Sequence, residues 1–199
     1  MATFNQRNIT EFRSRLSGGG ARANLFEVEI AFPEELGINL TDVSDKVPFL
    51  VKAAEIPASN LGNIPVPYRG RVLPVAGDRT FDPWTVTIIN DTDFIIRDAM
   101  EKWSNSINDL QFDGGITNPA GYQTDAFVTQ LGRVNDNSGQ LSSGADNMQQ
   151  IRQYKFFGIY PNAVSSIPLD YGATDNIEEF QVTFNYIYWT VESGNNITG

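Results

Sequence analysis

Paired carboxylates are the one catalytic device this sequence leaves open. It contains no cysteine and no histidine, which removes the thiolate nucleophile, the disulfide and the side chain that most often titrates near neutrality or ligates a metal. Two acidic pairs remain, Asp91/Asp93 and Glu178/Glu179, and two carboxyls flanking a bond can act as the acid and base of glycoside hydrolysis. Their surroundings give them another task. Asp91, Thr92 and Asp93 stand where a helix needs its N-cap and early negative charge, and Glu178/Glu179 lie between the turn-forming Asp175-Asn176 and a strand. A catalytic pair also needs a cleft that shifts a pKa, and the neighbouring residues outline none. The acidic pairs are therefore assigned to structure, and no enzyme activity is expected. Asp170, followed by Tyr171-Gly172, reads as a turn residue. The oxygens of Asp136-Asn137-Ser138-Gly139 lack calcium-loop spacing. Gly18-Gly19-Gly20 has neither the preceding strand nor the following Gly-Lys-Ser/Thr of a phosphate loop. No metal and no cofactor are expected.

The elements that position these residues follow from periodicity. At 199 residues, 41% hydrophobic and 12% aromatic, the chain suits one folded domain rather than a disordered one. Residues 1–24 form a flexible basic arm, with Arg7, Arg13, Arg15 and Arg22 against Glu11. From Asn24 to Phe32 a strand alternates, Phe26, Val28, Ile30 and Phe32 on a core face and Glu27 and Glu29 on a wet one. Glu34 to Asp45 reads as a polar connector and Val47 to Ile56 as a strand closed by Pro57. Residues 64–80 are interrupted by Pro65, Pro67, Gly70, Pro74 and Gly77, yet carry Val66, Tyr68, Val72, Leu73 and Val75 with Arg69, Arg71 and Arg79. Exposed aromatic, aliphatic and Arg side chains on a long loop or ribbon are what a docking element requires.

Beyond it a strand, with Trp84, Val86 and Ile88 on one face and Thr85, Thr87 and Ile89 on the other, feeds a helix. That helix carries Ile96, Ala99, Met100, Trp103 and Ile107 on one stripe. Residues 114–150 read as a polar insertion on the outer surface, with one apolar patch from Ala126 to Leu131. Two more strands are expected, Tyr154 to Tyr160, stopped by Pro161, and Phe180 to Val191. The fold class is mainly β with one flanking helix, in a single domain from 25 to 199.

The formal charge of -10 opposes nucleic-acid binding through phosphate neutralisation and suits a surface that nucleic acid must pass without being held. No apolar run reaches the roughly 20 residues of a membrane-spanning helix, and the start of the chain lacks the pattern of a signal peptide.

The run from Pro65 to Asp91 (PVPYRGRVLPVAGDRTFDPWTVTIIND), the following helix with Trp103, and the segments Tyr154–Asp170 and Phe180–Trp189 resemble the tail tube proteins of contractile-tailed bacteriophages. The 114–150 stretch is longer than that family's pattern. The resemblance implies a β-sandwich or barrel-like subunit that forms rings by sheet pairing, six subunits to a ring. It further implies that the rings stack into a hollow tube inside a contractile sheath. Sheath, baseplate and tail-terminator proteins would be its partners, and DNA would cross the lumen without specific binding. Such a protein would be made in the host cytoplasm and carried in the virion. Under that resemblance the contact between rings is expected to use Arg13 and Arg15 of the arm and Tyr68, Arg69, Gly70, Arg71 and Arg79 of the loop. Glu27 and Glu29 are the candidates for an acidic lumen. Two other readings stay open: a type VI secretion or baseplate-proximal tube subunit, and a carbohydrate-binding β-sandwich using Trp84, Trp103, Trp189 and the tyrosines as stacking platforms.

Overall fold

Apolar and polar residues alternate along several separate stretches of this chain, and the strands they form pair antiparallel. The computed structural model describes residues 9–16, 20–37, 39–112, 114–132 and 149–192. The strands are β1 (Phe26–Ile30), β2 (Val51–Ala54), β3 (Asn60–Tyr68), β4 (Arg71–Thr80), β5 (Trp84–Ile89), β6 (Thr124–Gly132), β7 (Gln149–Val164), β8 (Glu179–Asn185) and β9 (Tyr188–Glu192). Helices are α1 (Ile9–Arg15), α2 (Leu40–Leu50), α3 (Ile95–Ile107) and the single turn α4 (Pro119–Tyr122). One sheet runs β1-β6-β7-β8-β5-β2, with β9 also on β7, while β3 and β4 form a ribbon of their own.

The long strand β7 joins the two halves of the sheet. Its residues Gln153–Phe157 pair with β9 and Tyr160–Val164 with β8. Between them Gly158 has φ 65°, and a Cβ there would stand 2.6 Å from Ile187 Cδ1. A side chain at this position would meet both the left-handed backbone penalty and Ile187. The halves meet in one core, giving a β-sandwich-like fold. Trp84 of β5 stacks on Phe156 of β7 at 4.5 Å, and Val28, Val128, Val86, Ile88, Val182 and Phe184 belong to the same buried cluster. Helix α3 adds Ile96, Ala99, Met100 and Trp103 to it, as its stripe predicts, and α2 adds Val43 and Val47.

Several expectations change. Helix α2 replaces most of the connector and the first part of the expected 47–56 strand, leaving only Val51–Ala54 extended. Leu40, Val43 and Val47 recur at helical spacing against β1, and burial of that stripe outweighs the strand preference of the valines and the cost of Pro48 inside the helix. The 114–150 stretch is not simply a surface excursion. It contains α4 and β6, and β6 lies between β1 and β7 with Ala126 and Val128 buried. Residues 133–148, including the Asp136 to Gly139 loop, lie outside the described residues. Strand β7 runs past Pro161 to Val164, and its inward phase slips at Gly158 so that Ile159 is buried. The expected 180–191 strand is two strands, β8 and β9, parted at Tyr186-Ile187 where the chain moves from one stretch of β7 to the other. The flanking helix α3 therefore has α2 beside it as a second helix of substantial length.

The turn before α3 also differs in detail. The N-cap residue is Phe94, with φ 55° and no side-chain capping bond, one residue beyond the expected positions. Asp93 Oδ1 accepts from the Ile95 N–H at 3.3 Å and Asp91 Oδ1 from the Thr92 N–H at 2.8 Å. Both carboxylates also hold Lys46 of α2, Asp91 at 3.0 Å. Bonding to Asp93 and then Asp91 raises the Lys46 pKa, and bonding to Lys46 and then the Thr92 N–H lowers that of Asp91. A depressed carboxylate stabilises the fold above its unfolded pKa and stops doing so as pH falls through its folded value. A raised amine stabilises below its unfolded pKa and stops as pH rises through its folded value. Lys46→Gln is therefore expected to lower Tm by about 1–2 °C through the neutral range. Thermal unfolding across a pH series should show that difference begin to shrink as pH falls below about 4 and as it rises beyond about 10.4. A difference unchanged at both extremes would mean the ion pair is not its source.

Candidate assembly surfaces

The ribbon Asn60–Thr80 supplies what the expected docking loop requires, in a more ordered form. Arg69 and Gly70, at φ 44° and 78°, make a two-residue turn of the primed kind, whose twist matches that of paired strands. The register sets Ile64 opposite Val75, Pro65 opposite Pro74, Val66 opposite Leu73, Pro67 opposite Val72 and Tyr68 opposite Arg71. Opposite residues share a face and successive pairs alternate faces. Ile64, Val66, Leu73 and Val75 therefore line one side, continued at the tip by Tyr68 and Arg71, and the prolines lie on the other. The four aliphatics are 41–61% exposed, and a contiguous apolar face of this kind marks an interaction surface. Proline has no N–H, so Pro65 and Pro74 cannot be a hydrogen-bonded pair. The aliphatic pairs carry the ladder, and the peptide groups of the proline pairs point out along the ribbon's edges.

The ribbon brings Tyr68, Arg69, Gly70 and Arg71 together at its tip, with the Arg69 guanidinium 5.3 Å from the centre of the Tyr68 ring. The other candidates lie elsewhere. Arg79 is at the far end of β4 and donates to Ser59 Oγ. Arg13 and Arg15 sit on α1, a short helix within the expected flexible arm, and Arg15 pairs with Glu11 at 3.3 Å. That helix buries none of its residues, leaving Ile9 and Phe12 exposed together with Leu16 just past its end. Residues 1–8 and 17–19 of the arm lie outside the described residues.

Glu27 and Glu29 lie on the outer face of β1, Glu27 half-buried and Glu29 exposed. Register carries that face across the sheet, from Glu29 to Phe127, Lys155 and Thr190, and from Glu27 to Thr129, Gln153 and Glu192. Lys155 is the residue sequence reasoning passed over here. Its ammonium pairs with Asp125 at 3.0 Å and lies 5.3 Å and 4.5 Å from the centres of the Phe127 and Phe157 rings. The outer face of the other half is neutral along most of the β5–β8 pairing, where Thr85 faces Thr183 across a 3.3 Å hydroxyl contact and Thr87 lies opposite Gln181, and carries a charge at its end, where Ile89 lies opposite Glu179.

Both acidic pairs are engaged in contacts between elements of the fold. Besides the Lys46 contacts, Glu178 Oε2 accepts from Asn90 Nδ2 at 3.0 Å and Glu179 Oε1 holds Lys52 at 2.5 Å. The aromatic platforms of a carbohydrate site are likewise absent from the tryptophans. Trp84 and Trp103 are buried at 2% and 0% exposure, and Trp189 donates to Ala58 O at 3.2 Å while packing on Tyr154. Among the described residues no helix is long and apolar enough to cross a membrane.

A two-part β-sandwich with α2 and α3 against it and a free ribbon is a fold found in contractile injection machines. It is shared with a chain of the anti-feeding prophage cap, at TM-score 0.57 and 13% identity over 88% of this chain and 92% of that one. It is shared equally with a chain of the PVC extracellular contractile injection system's sheath/tube terminator, at TM-score 0.57 and 10% identity over 87% and 97%. The sequence narrows the class: residues 21–192 match the family described as phage tail tube protein. Tail tube protein gp19 of Enterobacteria phage T4 is 34% identical over 175 residues, 87% of this chain and 93% of the relative. The tail tube protein of Serratia phage KSP90 is 30% identical over 180 residues, 89% and 93%. The chain belongs to the phage tail tube protein family, and its role is that of a structural component of the phage tail.

Proposed function

We propose that this chain assembles into rings of six, stacked as the inner tube of a contractile phage tail through which DNA enters the host. Sheath, baseplate and terminator proteins are its other partners, and it accumulates in the host cytoplasm before assembly into the virion. The observation that carries this reading is the ribbon. A subunit that leaves Ile64, Val66, Leu73 and Val75 exposed on one face is complete only when another surface covers them. Ring closure requires a head-to-tail contact and stacking a second one. The ribbon tip, Arg79 and the α1 arginines Arg13 and Arg15 are assigned to the stacking contact. Electron microscopy of the purified protein over a concentration series tests the proposal. Hollow tubes of uniform width support it, single rings that never stack would identify a tube-initiating subunit instead, and a protein that stays monomeric at every concentration even when seeded with purified baseplates would overturn it.

The acidic face of β1 is assigned to the lumen, where Glu27 and Glu29 repel phosphates and leave DNA free to slide. In phage carrying Glu27→Lys with Glu29→Lys, tubes are expected to form with unchanged width while infectivity falls by about tenfold or more, the cations now retaining DNA by counterion release. Plaque counts normalised to intact particles check this, and normal infectivity would remove both residues from the lumen.

A further inference from the structure

The ribbon springs from a cavity, and the two ends of this element are chemically matched. The cavity is about 380 Å³ and is lined by Phe81, Asp82, Gln123, Tyr160, Asn185 and Tyr186, among others. Phe81 and Tyr186 form a tilted ring pair with centroids 5.7 Å apart, and Asn185 Nδ2 donates to the Tyr160 hydroxyl at 3.2 Å. That bond leaves the Asn185 carbonyl oxygen, with that of Gln123, as acceptors. Asp82 is exposed and bonds Asn60 Nδ2, and no cation pairs with it among the described residues. Aromatic faces, amide oxygens and one carboxylate are the combination that holds a planar guanidinium, which stacks and donates in the same plane. At the other end of the ribbon, Arg69 and Arg71 have no carboxylate partner among the described residues.

Their own chain cannot bring the two ends together. Asn60, the first residue of β3, is bonded to Asp82, and the nine residues of β3 extend at about 3.3 Å each, roughly 30 Å in all. The tip therefore ends far from the cavity of its own subunit.

We infer that the cavity at the base of the ribbon is a guanidinium site, and that its occupant is the Arg69/Arg71 tip of a second copy of this chain. Because every copy carries both tip and cavity, the contact is head to tail and repeats without closing on itself within a pair. The inference rests on the tube reading and adds to it the receiving surface and the chemistry of recognition.

The absence of cysteine from the chain allows a direct test. Val72 lies beside the tip and is 61% exposed, and Pro83 is an exposed residue of the cavity rim. In Val72→Cys/Pro83→Cys the two thiols are too far apart to join within one chain, since a disulfide needs Cα atoms within about 7 Å. Oxidation of assembled protein is expected to give a ladder of covalent dimers, trimers and longer species on a non-reducing gel. In parallel, Asp82→Lys is expected to raise the concentration needed for assembly about tenfold, equivalent to ~1.4 kcal/mol per contact. Combining it with Arg69→Glu and Arg71→Glu is expected to restore assembly. Tubes that yield no ladder would overturn the site while leaving the tube reading intact. A ladder with no effect of Asp82→Lys would overturn the guanidinium assignment. Unsubstituted protein that forms neither rings nor tubes even on purified baseplates would overturn the site and the tube reading together.

Discussion

Trp103→Ala is expected to destabilise the subunit by about 3–5 kcal/mol, the range for deleting a large aromatic from a packed core. Trp103 is fully buried and sits where the helix layer meets both halves of the sheet. Its ring lies 5.6 Å from Phe32, after β1, and 6.1 Å from Phe184 of β8. Its indole N–H donates to Tyr122 O at 2.8 Å, tying α3 to the turn that leads into β6. Alanine removes the volume, the ring contacts and the donor at once, and the carbonyl left behind loses its partner. For a chain of this size, a few degrees of Tm correspond to each kcal/mol, so a fall of roughly 10 °C is expected in thermal unfolding followed by circular dichroism. Trp103→Phe should recover much of the loss while leaving the carbonyl unpaired, separating packing from hydrogen bonding. A shift under about 3 °C for the alanine variant would show that α3 is not integral to the core.

Val66→Asp with Leu73→Asp is expected to do the reverse: to leave the subunit folded and abolish tubes. The two residues are opposite one another on the ribbon and 41% and 61% exposed, so neither contributes to the buried cluster. Their replacement should shift Tm by no more than about 2 °C, as is usual for substitutions on an exposed surface. In an assembled tube the same positions would be buried, and an unpaired carboxylate in an apolar contact costs several kcal/mol at each joint. No tubes are expected in electron micrographs even at about 100 times the concentration at which the unsubstituted protein polymerises, a factor worth only ~2.8 kcal/mol. Val66→Leu with Leu73→Val conserves volume and should polymerise normally. Tubes from the aspartate variant would move the docking surface away from the aliphatic face.

These cases also mark how far the sequence could be read. The faces of β1, β5 and α3 were legible because each periodicity runs over several residues without interruption. Helix α2 was not, because Val47 and Val51 have strand preference and Pro48 reads as a breaker, whereas packing of Val43 and Val47 decides the outcome. Strand β6 was hidden by the Asn, Gly and Gln residues on either side of a short core pattern. The division between β8 and β9 was invisible for a different reason. Alternation continues through Tyr186 and Ile187, and the cause of the break lies in β7, at Gly158, a residue distant in sequence. Among the residues proposed for assembly, the tip stands out in the sequence as a basic, aromatic, turn-rich stretch. Its sidedness does not, since which residues share a face depends on pairing register. Asp82 gave no signal, because one acid before a proline is unremarkable until the fold puts rings and amides around it.

The prolines of the ribbon bear on a hazard that a polymer-forming protein faces before its polymer exists. An isolated two-stranded ribbon with valines, leucine and isoleucine on one side resembles the seed of an amyloid fibril, since any passing strand could add to either margin. Pro65 and Pro67 remove outward N–H groups from the β3 margin and Pro74 removes one from the β4 margin, where Val72 keeps its own, so a stray strand finds no continuous ladder to join. The ribbon can be covered by a fitted surface and cannot act as a template. A pool of such subunits can therefore become concentrated while it waits for a nucleus, with ordered growth favoured over cross-β precipitation.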